Sequence, residues 1–247
     1  MYLYIYDSFL TAKKYQGLIF KIENRLVDLG IKGRVVRLNV LKNMAEVVSD
    51  GISQGVTTVV VVGDDLSFSK IINIIADKNI ALGVIPIDKK SKIGKILGVP
   101  AGQAACDVLA QRIIKKVDLG RIGGYYFLDS ASIINEPTTI KFGKFNISPR
   151  SQKNSVTFNN LGIMSGGGVT RSFDPTDGQL ECVIASTDSL IKKTTDTTIM
   201  PFTDIEVVCS ETGAFITVDQ VAKTKPPARV SIAPNKLSVI VGSDRLF

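Results

Sequence analysis

The chain of 247 residues contains no histidine and only three cysteines, Cys106, Cys182 and Cys209. The absence of histidine excludes Ser-His-Asp catalysis, histidine general bases and zinc sites that need histidine ligands. The cysteines lie far apart and form no CxxC pair, so we expect neither a disulfide framework nor a thiolate metal site. Any catalysis must therefore use carboxylates, lysines, hydroxyls, backbone amides or a hard metal ion.

Long apolar runs are also absent. No uncharged stretch is both apolar and as long as the about 20 residues that a membrane-spanning helix needs. The first residues, MYLYIYDSF, lack the basic start of a secretory signal. A hydrophobic fraction of 45% and a charged fraction of 21% exclude a disordered or coiled-coil chain. We expect a soluble, globular, cytoplasmic protein.

Positive charge is concentrated in the first half. Lys and Arg outnumber Asp and Glu by 17 to 10 in residues 1–117, whereas both classes number 13 in residues 118–247. Such an excess is typical of a surface that meets phosphates, nucleic acid or an anionic membrane, and equally of a solvated surface that keeps a protein soluble. Because aromatics make up only 7% of the chain and no RNA-binding motif is present, we expect no nucleic-acid partner.

Residues 1–117 alternate short apolar runs with segments of helical periodicity, which predicts a doubly wound parallel α/β sheet. Asp7 and Ser8 are interpreted as caps of the helix that follows them. The runs that predict strands are Tyr2–Tyr6, Arg34–Leu38, Val56–Val62 and Ala81–Ile85.

The second half has short apolar runs separated by Gly, Pro, Asn and Ser, which predicts an antiparallel sandwich or barrel. We expect a bend at Gly166–Gly168 and an exposed loop at Lys193–Thr198. The predicted strands are Thr138–Phe142, Ser155–Phe158, Leu180–Ser186, Asp204–Ser210, Ala214–Val218 and Leu237–Val241.

Helical texture stops near Val117–Gly120, which predicts a domain boundary there. We therefore expect an α/β domain at 1–117 and a β-sandwich domain at 118–235. Residues 236–247 are expected to form a closing strand and tail, and whether they return toward the first domain is left open.

Two strand ends carry polar residues of the kind that bind phosphate or metal. Gly63-Asp64-Asp65-Leu66-Ser67 follows the most β-branched run, and Asp88-Lys89-Lys90-Ser91-Lys92 follows the next strand. Ligands of open α/β sheets bind outside the carboxyl ends of the strands. A carboxylate there can hold a metal ion and helix-start amides can hold a phosphate. Taken alone, each segment is more simply explained by an ordinary strand–turn–helix connection with capping aspartates.

These segments, in this order, resemble the diacylglycerol kinase catalytic family, which includes bacterial lipid kinases and sphingosine kinases and is related to NAD kinases. The family's GGDGT motif corresponds to GDDLS at 63–67, and its glycine-rich second loop corresponds to the stretch LGVIPIDKKSKIGKILGVP from Leu82 to Pro100. Val156–Ile184 is similar to the family's stretch with a DG-L ending, and residues 216–241 are similar to its DGE segment and closing strand.

The resemblance implies a two-domain lipid kinase fold with ATP and Mg²⁺ in a cleft between the domains. It implies catalytic roles for Asp65 and Asp219, and a metal position at Asp177. The first loop would bind the phosphates through Gly63, Asp64 and Ser67. In the second loop, Lys89, Lys90 and Ser91 are predicted to bind the phosphates because of their own charge and hydroxyl chemistry, and not because they match the family's residues. The implied substrate is a lipid or another small hydroxyl compound.

The chain departs from the family at the positions that carry chemistry. Asp64 and Leu66 replace glycines that allow the backbone to approach a phosphate closely. The second loop has lost both glycines, although its lysines offer point charges for an anion. Val221 stands where the family has the glutamate that acts as the presumed base, and a valine accepts no proton.

These departures leave three interpretations open: a lipid kinase-like phosphotransferase, a catalytically inactive pseudokinase that binds a nucleotide, lipid or protein, and a scaffold whose cleft is closed. The basic first half is also consistent with transient contact with an anionic membrane, which would make the protein peripheral at the inner membrane surface. Formation of a homodimer is left open.

Overall fold

The computed structural model describes residues 1–39, 42–151, 153–166, 169–186 and 197–247. Contacts within the chain divide it into two compact units. Met1–Val117 and Lys236–Leu246 form the first unit, and Asp118–Asn235 with Phe247 form the second.

The first unit alternates strands and helices, as the sequence predicts. Two short 3-10 turns, Ser8–Thr11 and Lys13–Tyr15, precede its first helix. Its complete elements are β1 (Tyr2–Tyr6), α1 (Gln16–Asp28), β2 (Gly33–Arg37), α2 (Met44–Ser53), β3 (Thr58–Gly63), α3 (Asp65–Ile75), β4 (Ala81–Pro86), α4 (Lys92–Ile96) and α5 (Ala104–Gln111).

The four strands that lie wholly in this unit are parallel and are arranged in the order β2-β1-β3-β4. Every residue of β3 and β4 is buried, which is typical of strands covered on both faces. Helix α1 buries Ile19, Ile22 and Leu26, which share one helix face. This arrangement confirms the predicted doubly wound parallel sheet.

The second unit is built from strands. The chain enters it along β5 (Ile114–Ile122) and leaves it along β18 (Ala228–Ile240). The strands between them are β6 (Tyr125–Phe127), β7 (Ser130–Ile134), β8 (Thr138–Phe142), β9 (Phe145–Ile147), β10 (Asn154–Asn159), β11 (Gly162–Gly166), β12 (Val169–Phe173), β13 (Leu180–Ser186), β14 (Thr197–Phe202), β15 (Asp204–Cys209), β16 (Ile216–Val218) and β17 (Ala222–Thr224).

Antiparallel pairing joins six of these strands in the order β14-β13-β10-β7-β16-β17, and the first part of β18 joins β15, β8 and β9. One core unites the two layers, because Ile133 and Phe158 of the first pack with Ile140 and Val207 of the second. This arrangement confirms the predicted antiparallel sandwich. The last part of β18 belongs to the first unit, where Ser238 and Val239 pair in parallel with β4.

The two units divide between Val117 and Asp118, which lies inside the predicted range Val117–Gly120. Two local details differ from the prediction: helix already ends at Gln111 of α5, and the last strand starts nine residues before Leu237. Residues 167–168 and 193–196 lie outside the described part of the chain, so the predicted bend and most of the predicted loop are not described. Thr197 and Thr198, the end of that loop, begin β14.

Candidate functional site

The candidate phosphate loops follow neighbouring parallel strands. Gly63 at the end of β3 pairs with Pro86 at the end of β4, and Val62 pairs with Tyr6 at the end of β1. Because the carboxyl ends of parallel strands meet at one edge of a sheet, the residues after all three strands lie close together. The residues that follow are Asp7 after β1, the GDDLS loop (63–67) after β3, and the lysine loop (88–92) after β4.

Two side chains of the GDDLS loop form hydrogen bonds with the loop's own backbone. Asp64 caps α3 by accepting a hydrogen bond from the Ser67 backbone N–H (2.9 Å), and Ser67 Oγ accepts one from the Asp64 N–H (3.3 Å). This reciprocal pair is a capping box. A Cβ at Gly63 would lie 2.5 Å from Ser67 Oγ, so a glycine is needed beside the box.

Asp7 also belongs to this cluster, which corrects its interpretation as a helix cap. It makes no side-chain cap, and it lies buried beside Ser67, whose Oγ donates to Asp7 Oδ2 (2.7 Å). Burial raises the pKa of Asp7, but the hydrogen bond from Ser67 and the nearby Lys70 Nζ (3.5 Å) outweigh it, so the pKa lies below its usual value. The position of Asp7 directly after β1 was the available signal for this role.

Asp65 joins the two loops. Its Oδ1 accepts a hydrogen bond from Ser91 Oγ, and its Oδ2 accepts one from the Lys92 backbone N–H (2.8 Å). Ser91 in turn caps α4, where its Oγ accepts from the Gly94 N–H (2.9 Å). We call the contacts of Asp65 with Ser91 and Lys92 the Asp65 bridge.

The lysine loop turns its cations outward. Asp88 Oδ1 accepts from the Lys90 N–H (2.9 Å), which fixes the turn, and both Lys89 and Lys90 are exposed. Within the described ranges, no carboxylate forms an ion pair with either lysine. These two cations are therefore available to an anion.

Much of the backbone donor capacity of the loops is already used. The N–H groups of Ser67, Lys90, Lys92 and Gly94 all donate to side-chain oxygens of the same loops. A phosphate loop normally presents such groups to its ligand. An incoming phosphate can therefore use these four amides only after a side chain has moved, whereas the exposed Lys89 and Lys90 are accessible from the start.

Asp219, the other predicted catalytic residue, lies in the second unit and is 6% exposed. Its carboxylate accepts backbone hydrogen bonds from Leu128, Asp129 and Ser130 (2.8–3.0 Å). Burial raises the pKa of Asp219 to about 6, against the effect of these donors. The carboxylate thus organises the start of β7, and Val221, two residues later, offers no acid or base.

Asp177, the predicted metal position, lies in the turn between β12 and β13. Its Oδ1 accepts from the Gln179 N–H (2.9 Å), and its pKa is raised, chiefly by burial and also by the charges of Asp174 and Asp118. Among the residues that the structure describes, no cluster of three or more acidic, cysteine or histidine side chains could hold a metal ion. The metal role of Asp177 stays a prediction.

Sequence reasoning missed Asp118 in the second unit. Its carboxylate is buried and accepts from the backbone N–H groups of Gly178 (2.9 Å) and Asn235 (2.6 Å), so it joins the Asp177 turn to β18. The one signal in the sequence is a lone acid between the apolar residues Val117 and Leu119.

The donor chemistry of the loops fits Mg²⁺ and phosphate. Mg²⁺ is commonly bound by one or two carboxylates together with substrate phosphates, and Asp65 supplies a carboxylate beside the Ser91 hydroxyl. Lys89 and Lys90 supply positive charge next to them. The fit requires that Asp65 release Ser91 and Lys92.

No helix in the described part of the chain is long and apolar enough to span a membrane.

Comparisons with known proteins agree with the geometry. No curated protein matches the chain in sequence. A diacylglycerol kinase structure from Bacillus anthracis str. Sterne is similar, with 18% identity, a TM-score of 0.80, and coverage of 99% of this chain and 98% of that one. A second structure from that organism, described as a candidate diacylglycerol kinase, has 16% identity, a TM-score of 0.80, and coverage of 99% and 96%.

These structures are similar in fold across nearly the whole chain. The sequence match is confined to residues 2–122, which fit the family model of the diacylglycerol kinase catalytic domain and include both loops. Residues 2–122 of this chain therefore belong to the diacylglycerol kinase catalytic family.

Proposed function

We propose that this chain is a slow, ATP-dependent phosphotransferase that acts on a lipid or another small hydroxyl compound. The observation that carries the proposal is the meeting of Asp65, Ser91 and the lysine loop at the adjoining ends of β3 and β4. Family membership of residues 2–122 supports the same reaction class.

The lysines and the oxygen-bearing side chains of the two loops have different roles in this proposal. Lys89 and Lys90 attract and orient the phosphates, and the oxygens of Asp65 and Ser91 would hold Mg²⁺ once Asp65 has released Ser91 and Lys92. When bound, Mg²⁺ supplies charge neutralisation on the transferred phosphoryl group. Because phosphoryl transfer depends mainly on positioning and electrostatics, such a site retains some activity without a dedicated base.

The reaction is expected to be slow because Val221 replaces the family's glutamate. Loss of a general base lowers a rate by about 10²–10⁴-fold. Asp219 does not substitute for it in this proposal, since both of its carboxylate oxygens accept backbone hydrogen bonds.

A binding protein without catalysis is the second candidate. The observation in its favour is that side chains of the loops already occupy the N–H groups of Ser67, Lys92 and Gly94. In that case the fold is kept and a nucleotide, lipid or protein is bound without turnover.

Transfer of labelled phosphate from ATP to a lipid extract tests the proposal. We expect slow, Mg²⁺-dependent labelling by the wild-type chain, loss of labelling in Asp65→Ala, and an increase of about 10²-fold or more in Val221→Glu. Asp50→Ala, an exposed carboxylate on α2, is the matched control and should label at the wild-type rate.

Absence of labelling by both the wild-type chain and Val221→Glu would contradict the phosphotransferase. A thermal melt with Mg²⁺ and ATP then distinguishes what is left. Stabilisation by about 2.7 kcal/mol at 100 times the dissociation constant supports the binding protein, and no stabilisation excludes a nucleotide as its ligand.

A further inference from the structure

We propose that the Asp65 bridge is a built-in competitor of the anionic ligand, so that the site binds an anion only when the Asp65 carboxylate leaves Ser91 and Lys92. This makes Asp65 a residue that sets affinity in the free protein, in addition to the metal-binding role given above. The inference relies on the proposed function only for the class of ligand, an anion with phosphate oxygens.

The Asp65 bridge joins two segments that are distant in the chain. Asp65 is the first residue of α3, and Ser91 caps α4, 26 residues later in the chain. One carboxylate therefore holds the GDDLS loop against the lysine loop. Its two hydrogen bonds are made to an ionised group, and such bonds are roughly twice as strong as neutral ones.

The Asp65 bridge occupies hydrogen-bond donors that an anion needs. The Ser91 hydroxyl and the Lys92 N–H can each donate a hydrogen bond to a phosphate oxygen. They directly follow the exposed Lys89 and Lys90 in the chain. A carboxylate and a phosphate oxygen compete for the same donors. The negative charge of Asp65 also repels a phosphate that approaches the lysines.

The Asp65 bridge can open without disruption of the core. Asp65, Ser91 and Lys92 are each only half-buried, so water can solvate the carboxylate after release. The neighbouring Asp64–Ser67 box differs, because Ser67 is fully buried and also donates to Asp7. We therefore infer that the contact of Asp65 with Ser91 and Lys92 opens when an anion binds, whereas the Asp64–Ser67 capping box stays closed.

The observed affinity for an anion depends on the fraction of molecules in which the Asp65 bridge is open. If only a fraction of molecules has the bridge open, the observed affinity for an anion falls by that fraction. Removing one charged hydrogen-bonding partner from a partly exposed site corresponds to about a tenfold change in this equilibrium. Weakening the bridge should thus tighten anion binding by about tenfold, whereas a residue that only held metal would have no such effect.

The test is calorimetric titration with inorganic pyrophosphate in the presence of EDTA, so that no divalent cation takes part. Asp65→Asn keeps the shape of the side chain and removes its charge, and we expect it to bind pyrophosphate about tenfold more tightly than the wild-type chain does. Asp88→Asn is the matched control. It removes one negative charge from the same turn and leaves the Asp65 bridge intact, so a clearly smaller gain is expected.

Amide hydrogen exchange provides a readout that needs no ligand. The Lys92 N–H should be protected in the wild-type chain and exchange about tenfold faster in Asp65→Asn. In the wild-type chain alone, pyrophosphate should shift the Lys92 amide resonance as the carboxylate leaves. This last measurement holds even if the variant does not fold.

The inference is overturned if Asp65→Asn binds pyrophosphate no more tightly than the wild-type chain or Asp88→Asn does, or if no variant binds it. Equal exchange of the Lys92 N–H in both proteins also overturns it. If Asp65→Asn binds pyrophosphate more tightly but the wild-type chain and Val221→Glu transfer no phosphate, the inference about the Asp65 bridge stands. Only the proposed phosphotransferase activity is then contradicted.

Discussion

Asp219 shows how a single buried carboxylate links protonation to stability. Its pKa is raised to about 6 by burial, whereas an unfolded chain has a value near 3.8. The folded chain therefore binds this proton more tightly than the unfolded chain does. The contribution to stability is fully present below pH 3.8, and it is lost as the pH rises through about 6.

We predict that this contribution disappears in Asp219→Asn, which does not titrate. The unfolding free energy of the wild-type chain minus that of the variant should fall by about 2 kcal/mol between pH 4 and pH 7, because most of the interval between the pKa values of 3.8 and about 6 is titrated there, at 1.36 kcal/mol per pKa unit. Urea unfolding of the second unit at several pH values measures the difference. A difference that stays constant or rises with pH would contradict a raised pKa for Asp219.

The candidate site could be located from the sequence, but its contacts could not. The GDDLS and lysine loops stand out because polar residues follow apolar runs at the ends of predicted parallel strands. The partners of their side chains are distant in sequence: Ser67 meets Asp7 across 60 residues, and Asp65 meets Ser91 across 26. Only the assembled sheet edge brings these residues together, so no local pattern could identify the Asp65 bridge.

At the scale of elements, uniform strands were predicted well and mixed ones were not. The runs at Tyr2–Tyr6 and Ala81–Ile85 are apolar throughout and became buried strands. β5 begins with Ile-Lys-Lys, and β18 contains Pro234 and Asn235, so neither shows a steady alternation. Both strands pass from one unit to the other, which means that their two ends meet different surroundings and obey different patterns.

The C-terminal tail is tied to α4 by the backbone. Gly242 N–H donates to Leu97 O (2.9 Å), and Leu246 N–H donates to Ile96 O (3.0 Å). A Cβ on Gly242 would lie 2.0 Å from the carbonyl oxygen of Gly98, and a backbone atom cannot give way cheaply. The close approach of these two glycines lets the tail pack against the helix that carries the lysine loop.

We predict that Gly242→Ala lowers the stability of the first unit by about 2 kcal/mol, because overpacking at a fixed backbone contact costs about 1–3 kcal/mol. A thermal melt should show a fall of about 4–8 °C. Gly17→Ala on α1 is the control, since no atom lies within 4 Å of its added Cβ and alanine favours helix. If Gly242→Ala and the wild-type chain have the same unfolding midpoint temperature, the tail does not pack as described.

At the scale of the whole molecule, the first unit is discontinuous in sequence. Its parallel sheet is completed by the end of β18, where Ser238 and Val239 pair with Ala81 and Leu82 of β4. Lys236 adds an ion pair with Asp77 (2.5 Å). A chain that has been synthesised only to Val117 therefore lacks one strand of the sheet that carries the candidate site.

Burial of the apolar side chains at the end of β18 contributes a large share of the stability of the first unit. Leu237, Val239, Ile240 and Val241 are at most 1% exposed, and burial of each such side chain contributes about 1.5–3 kcal/mol. Together they supply about 6–12 kcal/mol, which is comparable with the whole stability of a typical domain, about 5–15 kcal/mol. The first unit should therefore depend on residues 236–246 to fold.

We predict that a fragment of residues 1–117 is unfolded, and that the same fragment joined through a flexible linker to residues 236–246 regains a cooperative thermal transition. Circular dichroism and amide exchange across β3 and β4 measure this directly. A linked segment with Val239→Asp is the control and should fail to restore folding, because it would bury an unpaired charge in the sheet. If the fragment 1–117 alone already protects the amides of β3, the first half folds before the chain is complete, and the returning strand serves the lysine loop and α4 rather than the core.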